Sequence, residues 1–129
     1  MIYNETIKTI ERSAFMKTEK NQIWGYGENT DGIPGGEGII RQIKSYTDEL
    51  MVVENHFQKG AVGALHSHPH TQITYVVSGV FEFTVGDETK VVKAGDTMLK
   101  KDGIRHGCVC LEEGILLDIF SPMREDFVK

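Results

Sequence analysis

The sequence predicts an all-β, single-domain chain folded as a sandwich or barrel, and three observations predict it. Turn residues punctuate the chain from Gly38 onward at intervals of roughly eight to twelve residues, the spacing of short antiparallel strands. Between the turns, Phe81, Phe83 and Val85 alternate with Glu82 and Thr84, which sends one face of a strand to a core. Three of the five histidines, His66, His68 and His70, also stand at every second position. Strand geometry then projects His66 and His68 to the same side, as two imidazoles must if they are to share one metal ion.

Residues 1–37 read as an N-terminal arm and a glycine-rich loop. Ile7, Ile10 and Ala14 keep helical spacing, but their surroundings are rich in Thr, Lys and Glu, and an arm laid along a partner subunit fits equally well. Glycines at 25, 27, 32, 35, 36 and 38, with Pro34, mark the loop. Trp24 is expected to be a packing anchor. Residues 38–129 form the barrel and its C-terminal tail. Strands are predicted at 39–46 and 50–57, joined by the turn Thr47-Asp48-Glu49. Gln58-Lys59-Gly60 turns into the histidine strand, and 73–77 reads as a buried strand ending at a Ser78-Gly79 hairpin. Strands 80–85 and 89–93 flank Gly86-Asp87-Glu88, and Ala94-Gly95-Asp96 leads to a short strand before His106. Strands 106–111 and 115–120 are predicted to pair across the turn Glu112-Glu113-Gly114.

Composition narrows the function. With 129 residues there is room for one core, and 40% hydrophobic with 26% charged residues is globular rather than disordered composition. A net charge of −5 argues against nucleic acid, which wants a basic face. No 18-residue apolar run is present, so no membrane span is expected, and Met1-Ile2-Tyr3-Asn4-Glu5 does not open a secretory signal. A cytoplasmic location is the expectation. Cys108 and Cys110 lie two strand residues apart, about 6.6 Å between Cα atoms, where a disulfide would strain the backbone. They read as reduced core thiols, although both share parity with His106, so that one could offer a thiolate to a metal.

Spacing ties two stretches together. Gly60, His66, His68, Gln72 and Gly79 follow the pattern Gly, five residues, His-x-His, three residues, a ligand, six residues, Gly. Gly95, Lys101, Gly103, His106 and Cys110 follow a second pattern, with Lys101 where Pro is usual and Cys110 where Asn is usual. These stretches resemble the two motifs of the cupin superfamily. The resemblance implies a jelly-roll β-barrel and one divalent transition metal ion (Ni, Zn, Fe, Co or Mn) held by His66, His68, Gln72 and His106. Most cupins have a carboxylate in the Gln72 place. An amide oxygen leaves the ion its full double charge, strengthening its pull on an anion and removing a base from the ligand set. His70 is expected beside the ligands or at the rim, and His56 is expected to be structural.

The tail adds Asp118, Phe120 and Arg124. Asp118 sits mid-strand between Leu117 and Ile119, where a carboxylate is costly unless paired or used. Asp-x-Phe-x-x-x-Arg together with the Gln ligand resembles the KdgF group of cupins, which convert 4,5-unsaturated uronates to linear 5-keto-4-deoxyuronate. That resemblance implies an isomerase of pectin degradation acting on a small anionic sugar. Asp118 would move the proton, Arg124 would clamp the substrate carboxylate, Phe120 would form the wall, and Thr74 would bind a hydroxyl. It also implies a homodimer. Other cupin activities (dioxygenase, sugar isomerase) and a non-catalytic small-anion-binding module are the alternatives.

Overall fold

In a computed structural model, which describes residues 17–27 and 32–129, the chain is built from antiparallel strands, with no α-helix among the described residues. The strands are β1 (Ile33–Gly36), β2 (Ile39–Thr47), β3 (Leu50–Phe57), β4 (Val62–His66), β5 (Thr71–Val85), β6 (Glu88–Lys93), β7 (Thr97–Lys100) and β8 (His106–Ser121). They are ordered β1-β2-β3-β8-β5-β6, with β4 added to β8 and β7 added to β5. This is the single-domain jelly-roll barrel expected. The helical spacing at Ile7, Ile10 and Ala14 lies outside the described residues. No described helix is long and apolar enough to cross a membrane.

Strands β5 and β8, at 15 and 16 residues, form the spine. They pair from Thr71↔Ser121 to Val85↔His106. The hairpins predicted at Ser78-Gly79 and at Glu112-Glu113-Gly114 are therefore absent, and both stretches lie within continuous strands. The reason is a shared irregularity: the register shifts between Val76 and Phe81 where this stretch of β5 faces Glu112–Ile115 of β8. Gly79 has φ +85°, and a Cβ there would stand 2.6 Å from the Gly114 Cα. The two glycines are what lets two long strands bend through each other's space. Glycine here marks close backbone approach, not a reversal.

The glycine-rich loop is also partly ordered as strand. Ile33–Gly36 is an edge strand on β2, with Ile33 opposite Arg41. Trp24 is 70% exposed, so it is not the packing anchor expected. Residues 73–77 alternate rather than bury as a block: Thr74 and Val76 are buried, while Ile73, Tyr75 and Val77 face outward. A strand of a one-layer barrel wall has only one buried face, so period two overrides the apolar run.

Inside, Phe57, Val76, Phe81, Phe83 and Leu116 with both cysteines form one apolar cluster, and Met51, Val53, Phe120 and Met123 form another. Both cysteines are reduced thiols. Burial pushes the Cys108 thiol up to about 12 and raises that of Cys110 as well, and neither sulfur belongs to the described group of converging ligand atoms, which comes from His66, His68 and His106. The polar site lies between the two clusters. Gly114→Ala should cost about 3 kcal/mol or more in urea unfolding, because the new methyl meets Gly79 backbone and the Ser78 carbonyl. Gly95→Ala, at φ +95° but in open space, should cost only about 1 kcal/mol.

Candidate metal centre

His66 closes β4, His106 opens β8, and the two are paired in register. Their rings lie 4.5 Å apart between centroids because the backbones approach closely at Gly107, where a Cβ would stand 2.7 Å from the Gly63 carbonyl oxygen. His68 lies just beyond the end of β4, and its ring is 5.4 Å from His66 and 4.9 Å from His106. One ligand atom from each of the three histidines falls within 4.8 Å of the others. Gln72, first inward residue of β5, brings its Oε1 to 2.9 Å from His68 Nε2. The four side chains named by spacing are thus brought together.

The ring nitrogens are already sorted. His66 Nδ1 lies 2.7 Å from the Ala64 carbonyl and His106 Nδ1 lies 3.0 Å from the Ile104 carbonyl. Each Nδ1 therefore carries the proton, and each Nε2 presents a lone pair. His106 Nε2 and His68 Nδ1 are buried without a hydrogen-bond partner. Buried ring nitrogens are seldom left so, and a cation is what a cluster of neutral imidazoles would satisfy. These residues fit a divalent ion.

Asp118 lies beside the ligands, in register between Val53 of β3 and Thr74 of β5. Its Oδ1 accepts from Gln72 Nε2 at 2.8 Å and from the Thr74 hydroxyl, and its Oδ2 accepts from Asn55 Nδ2 at 2.7 Å. The bond from Gln72 fixes which way the amide points: nitrogen to Asp118, oxygen to the histidines. Neither Arg124 nor Arg105 forms an ion pair with Asp118. Thr74 does not occupy the hydroxyl-binding place expected of it, because it is wholly buried, accepting from Lys100 Nζ while donating to Asp118. It holds the carboxylate from behind.

Arg124 forms a two-pronged pair with Asp126, Nε to Oδ1 at 2.9 Å and Nη2 to Oδ2 at 2.7 Å, and this holds the Asp126 carboxyl below the usual carboxylate range. Its Cζ lies 5.2 Å from the Phe120 centroid and 4.2 Å from that of Phe127. Phe120 also packs edge-on against His68, at 5.7 Å. His70 bonds the Met123 carbonyl at 3.1 Å and stands beside His68 and Phe120, outside the ligand cluster. His56 faces away and bonds Glu54 at 2.6 Å.

A cavity of about 110 Å³ is lined by His66, Gln72, His106, Asp118, Phe120 and Arg124. Three further polar residues, which spacing did not single out, belong to it: Arg41, Asn55 and Lys100. Arg41 shares parity with Ile39 and Ile43, so a charge on the inward face of an apolar strand was the available signal. Lys100 is 1% exposed, and burial lowers its pKa against the opposing pull of Asp118. A larger concavity of about 640 Å³, lined by residues such as His56, Gln58 and Glu113, lies outside this cluster and gathers no comparable set of ligands.

Burial, above all, lowers the His68 and His106 pKa values to about 4. A folded-state value below the ordinary value of about 6.5 means that the unfolded chain binds more protons in between. The stability these neutral rings contribute is complete above about pH 6.5 and is lost as pH falls toward 4. The melting temperature of chelator-treated protein should therefore fall between pH 7 and pH 4.5, and the drop should shrink in His106→Gln.

Comparison with known proteins identifies the family. The "Pectin degradation protein KdgF" of Dickeya dadantii is 46% identical over 95 residues, which is 72% of this chain and 86% of that protein. An RmlC-like cupin from Shewanella frigidimarina superposes with TM-score 0.81 at 42% identity, over 85% of this chain and 99% of the other. KdgF from Halomonas sp. superposes with TM-score 0.79 at 36% identity, over 83% of this chain and 99% of the other. The family model described as "Cupin domain" matches residues 53–120, a span that includes all four candidate ligands. The chain belongs to the cupin family.

Proposed function

We propose that this protein opens the ring of a 4,5-unsaturated uronate, such as unsaturated galacturonate, to the linear 5-keto-4-deoxyuronate in the breakdown of pectin. The observation that carries the reading is a carboxylate, Asp118, set against a three-histidine and one-glutamine ligand cluster in a cavity closed by Phe120 and Arg124. One of the relatives described above is named "Pectin degradation protein KdgF", and a second bears the name KdgF.

The substrate is a cyclic enol ether with a carboxylate beside its double bond. Ring opening moves one proton and changes no oxidation state overall. The anomeric hydroxyl loses its proton as C1 becomes a carbonyl and the C1–O5 bond breaks. The resulting C5 enolate becomes the ketone as C4 gains that one proton. His66, His68, Gln72 and His106 would hold a divalent ion, which would supply positive charge and Lewis acidity. Asp118 relays the proton from the anomeric hydroxyl toward C4, and Asn55, Gln72 and Thr74 hold its carboxylate in place. Phe120 shapes the wall and keeps water from the reacting carbons. Arg124 places positive charge at the carboxylate end.

Neither oxygen nor an external redox partner enters this reaction. The uronate should lose its ultraviolet absorbance under anaerobic conditions, and chelation should stop turnover until a divalent ion is returned. Turnover only in the presence of oxygen and a redox-active ion would favour a dioxygenase. Binding of the sugar without consumption would favour a small-anion-binding module. Asp118→Asn keeps an acceptor for Gln72 and Thr74, so it should retain its metal and lose turnover by about 10²–10⁴-fold. Full-rate ring opening by a metal-loaded Asp118→Asn protein would remove Asp118 from the proton's path.

A further inference from the structure

Two guanidiniums enter the cavity, and among the described residues only one of them has a carboxylate partner. Arg124 commits Nε and Nη2 to Asp126. Arg41 comes from β2, opposite Asn55 of β3, so it points to the inner face beside the side chain that holds Asp118 Oδ2. Its Cζ lies 3.7 Å from the Phe127 centroid, and Arg124 Cζ lies 4.2 Å from the same centroid. One aromatic ring therefore positions both cations.

Arg41 Nε is buried with no hydrogen-bond partner. No described carboxylate lies within ion-pair distance of its guanidinium, although Asp118 and Asp126 are near enough to act on it through space. Burial first, and then the charge of Arg124, lower its pKa from the usual arginine range. A guanidinium held by stacking, facing a cavity, with a buried Nε that no described acceptor meets, is prepared for an added one. Planar two-pronged geometry matches a carboxylate better than a hydroxyl.

We propose that Arg41 is the residue that hydrogen-bonds the carboxylate of the sugar acid, while Arg124, engaged by Asp126, supports Phe127 and contributes charge. The inference rests on the uronate reading above. It assigns the carboxylate's direct partner to a strand that neither motif touches. It also makes Asp126 a positioning residue, since that carboxylate keeps Arg124 from competing for the substrate.

The test combines kinetics on unsaturated galacturonate with calorimetric binding of two unreactive probes, galacturonate and neutral galactose, to metal-loaded protein. Arg41→Gln should raise KM and the galacturonate Kd by about tenfold to a hundredfold, with kcat falling less than KM rises and galactose binding unmoved. Arg41→Lys, which keeps the charge but loses the fork, should fall between the two. Adding Asp126→Asn to Arg41→Gln should release Arg124 and recover part of the lost affinity, an effect that a merely structural Arg41 would not produce. Unchanged KM and galacturonate affinity in an Arg41→Gln protein that melts like the parent would overturn the assignment. Should Arg41→Gln fail to fold, Arg41→Lys decides the matter: weaker galacturonate binding supports the role, and unchanged binding overturns it. If the parent turns over no uronate, the functional reading fails by itself. Galacturonate binding that still depends on Arg41 would then keep the carboxylate site, and binding indifferent to Arg41 would end both.

Discussion

The site depends on how the Asp118 carboxylate is satisfied. A carboxylate buried on the inner face of a barrel costs several kcal/mol unless donors surround it. Here donors arrive from two neighbouring strands, Asn55 from β3 and both Gln72 and Thr74 from β5, while Lys100 of β7 backs Thr74. The arrangement is possible because Asp118 sits mid-way along β8, in register between β3 and β5. Four strands are thereby tied at one polar point between two apolar clusters. Removing any donor would leave an acceptor in a dry place, so the network holds its own geometry.

That geometry reaches the ligands through one bond. An amide can turn its oxygen or its nitrogen toward the histidines, and only the oxygen can bind a cation. With Asp118 accepting from Gln72 Nε2, the oxygen is left on the histidine side. Backbone carbonyls do the same for His66 and His106 by taking the Nδ1 protons. A carboxylate at position 72 would need no such orientation, since either oxygen would serve. The glutamine cluster thus needs Asp118 for its own alignment, apart from the proton transfer proposed for that carboxylate.

The candidate ligand set was legible because period two and motif spacing are local: His66, His68, Gln72 and His106 could be named without knowing which strands are neighbours. Asn55 was not legible, since it reaches Asp118 across 63 residues and only strand register brings them together. The two longest strands were also hidden. Ser78-Gly79 and Glu112-Glu113-Gly114 carry ordinary turn chemistry, and each departs from a turn only because the other passes against it. Thr74 was placed on the correct face but at the wrong depth. Parity says which way a side chain points, not whether another side chain lies in front of it.

Charge shows the same difference between local and assembled information. The chain as a whole carries −5, which on its own suggests a poor host for an anionic sugar. The cavity and its rim, where exposed Asp126 stands, are arranged otherwise. Arg41, Arg124 and Lys100 stand against Asp118 and Asp126, and three formal cations against two carboxylates leave one positive charge before any metal ion is bound. A divalent ion would raise that to three. In a low-dielectric cavity a charge of that sign acts strongly on a ligand already inside, while the acidic outer surface is screened within about 8–10 Å at physiological salt. The proposed selection of an anion would therefore rest on the wall that faces inward, and not on the net charge of the sequence.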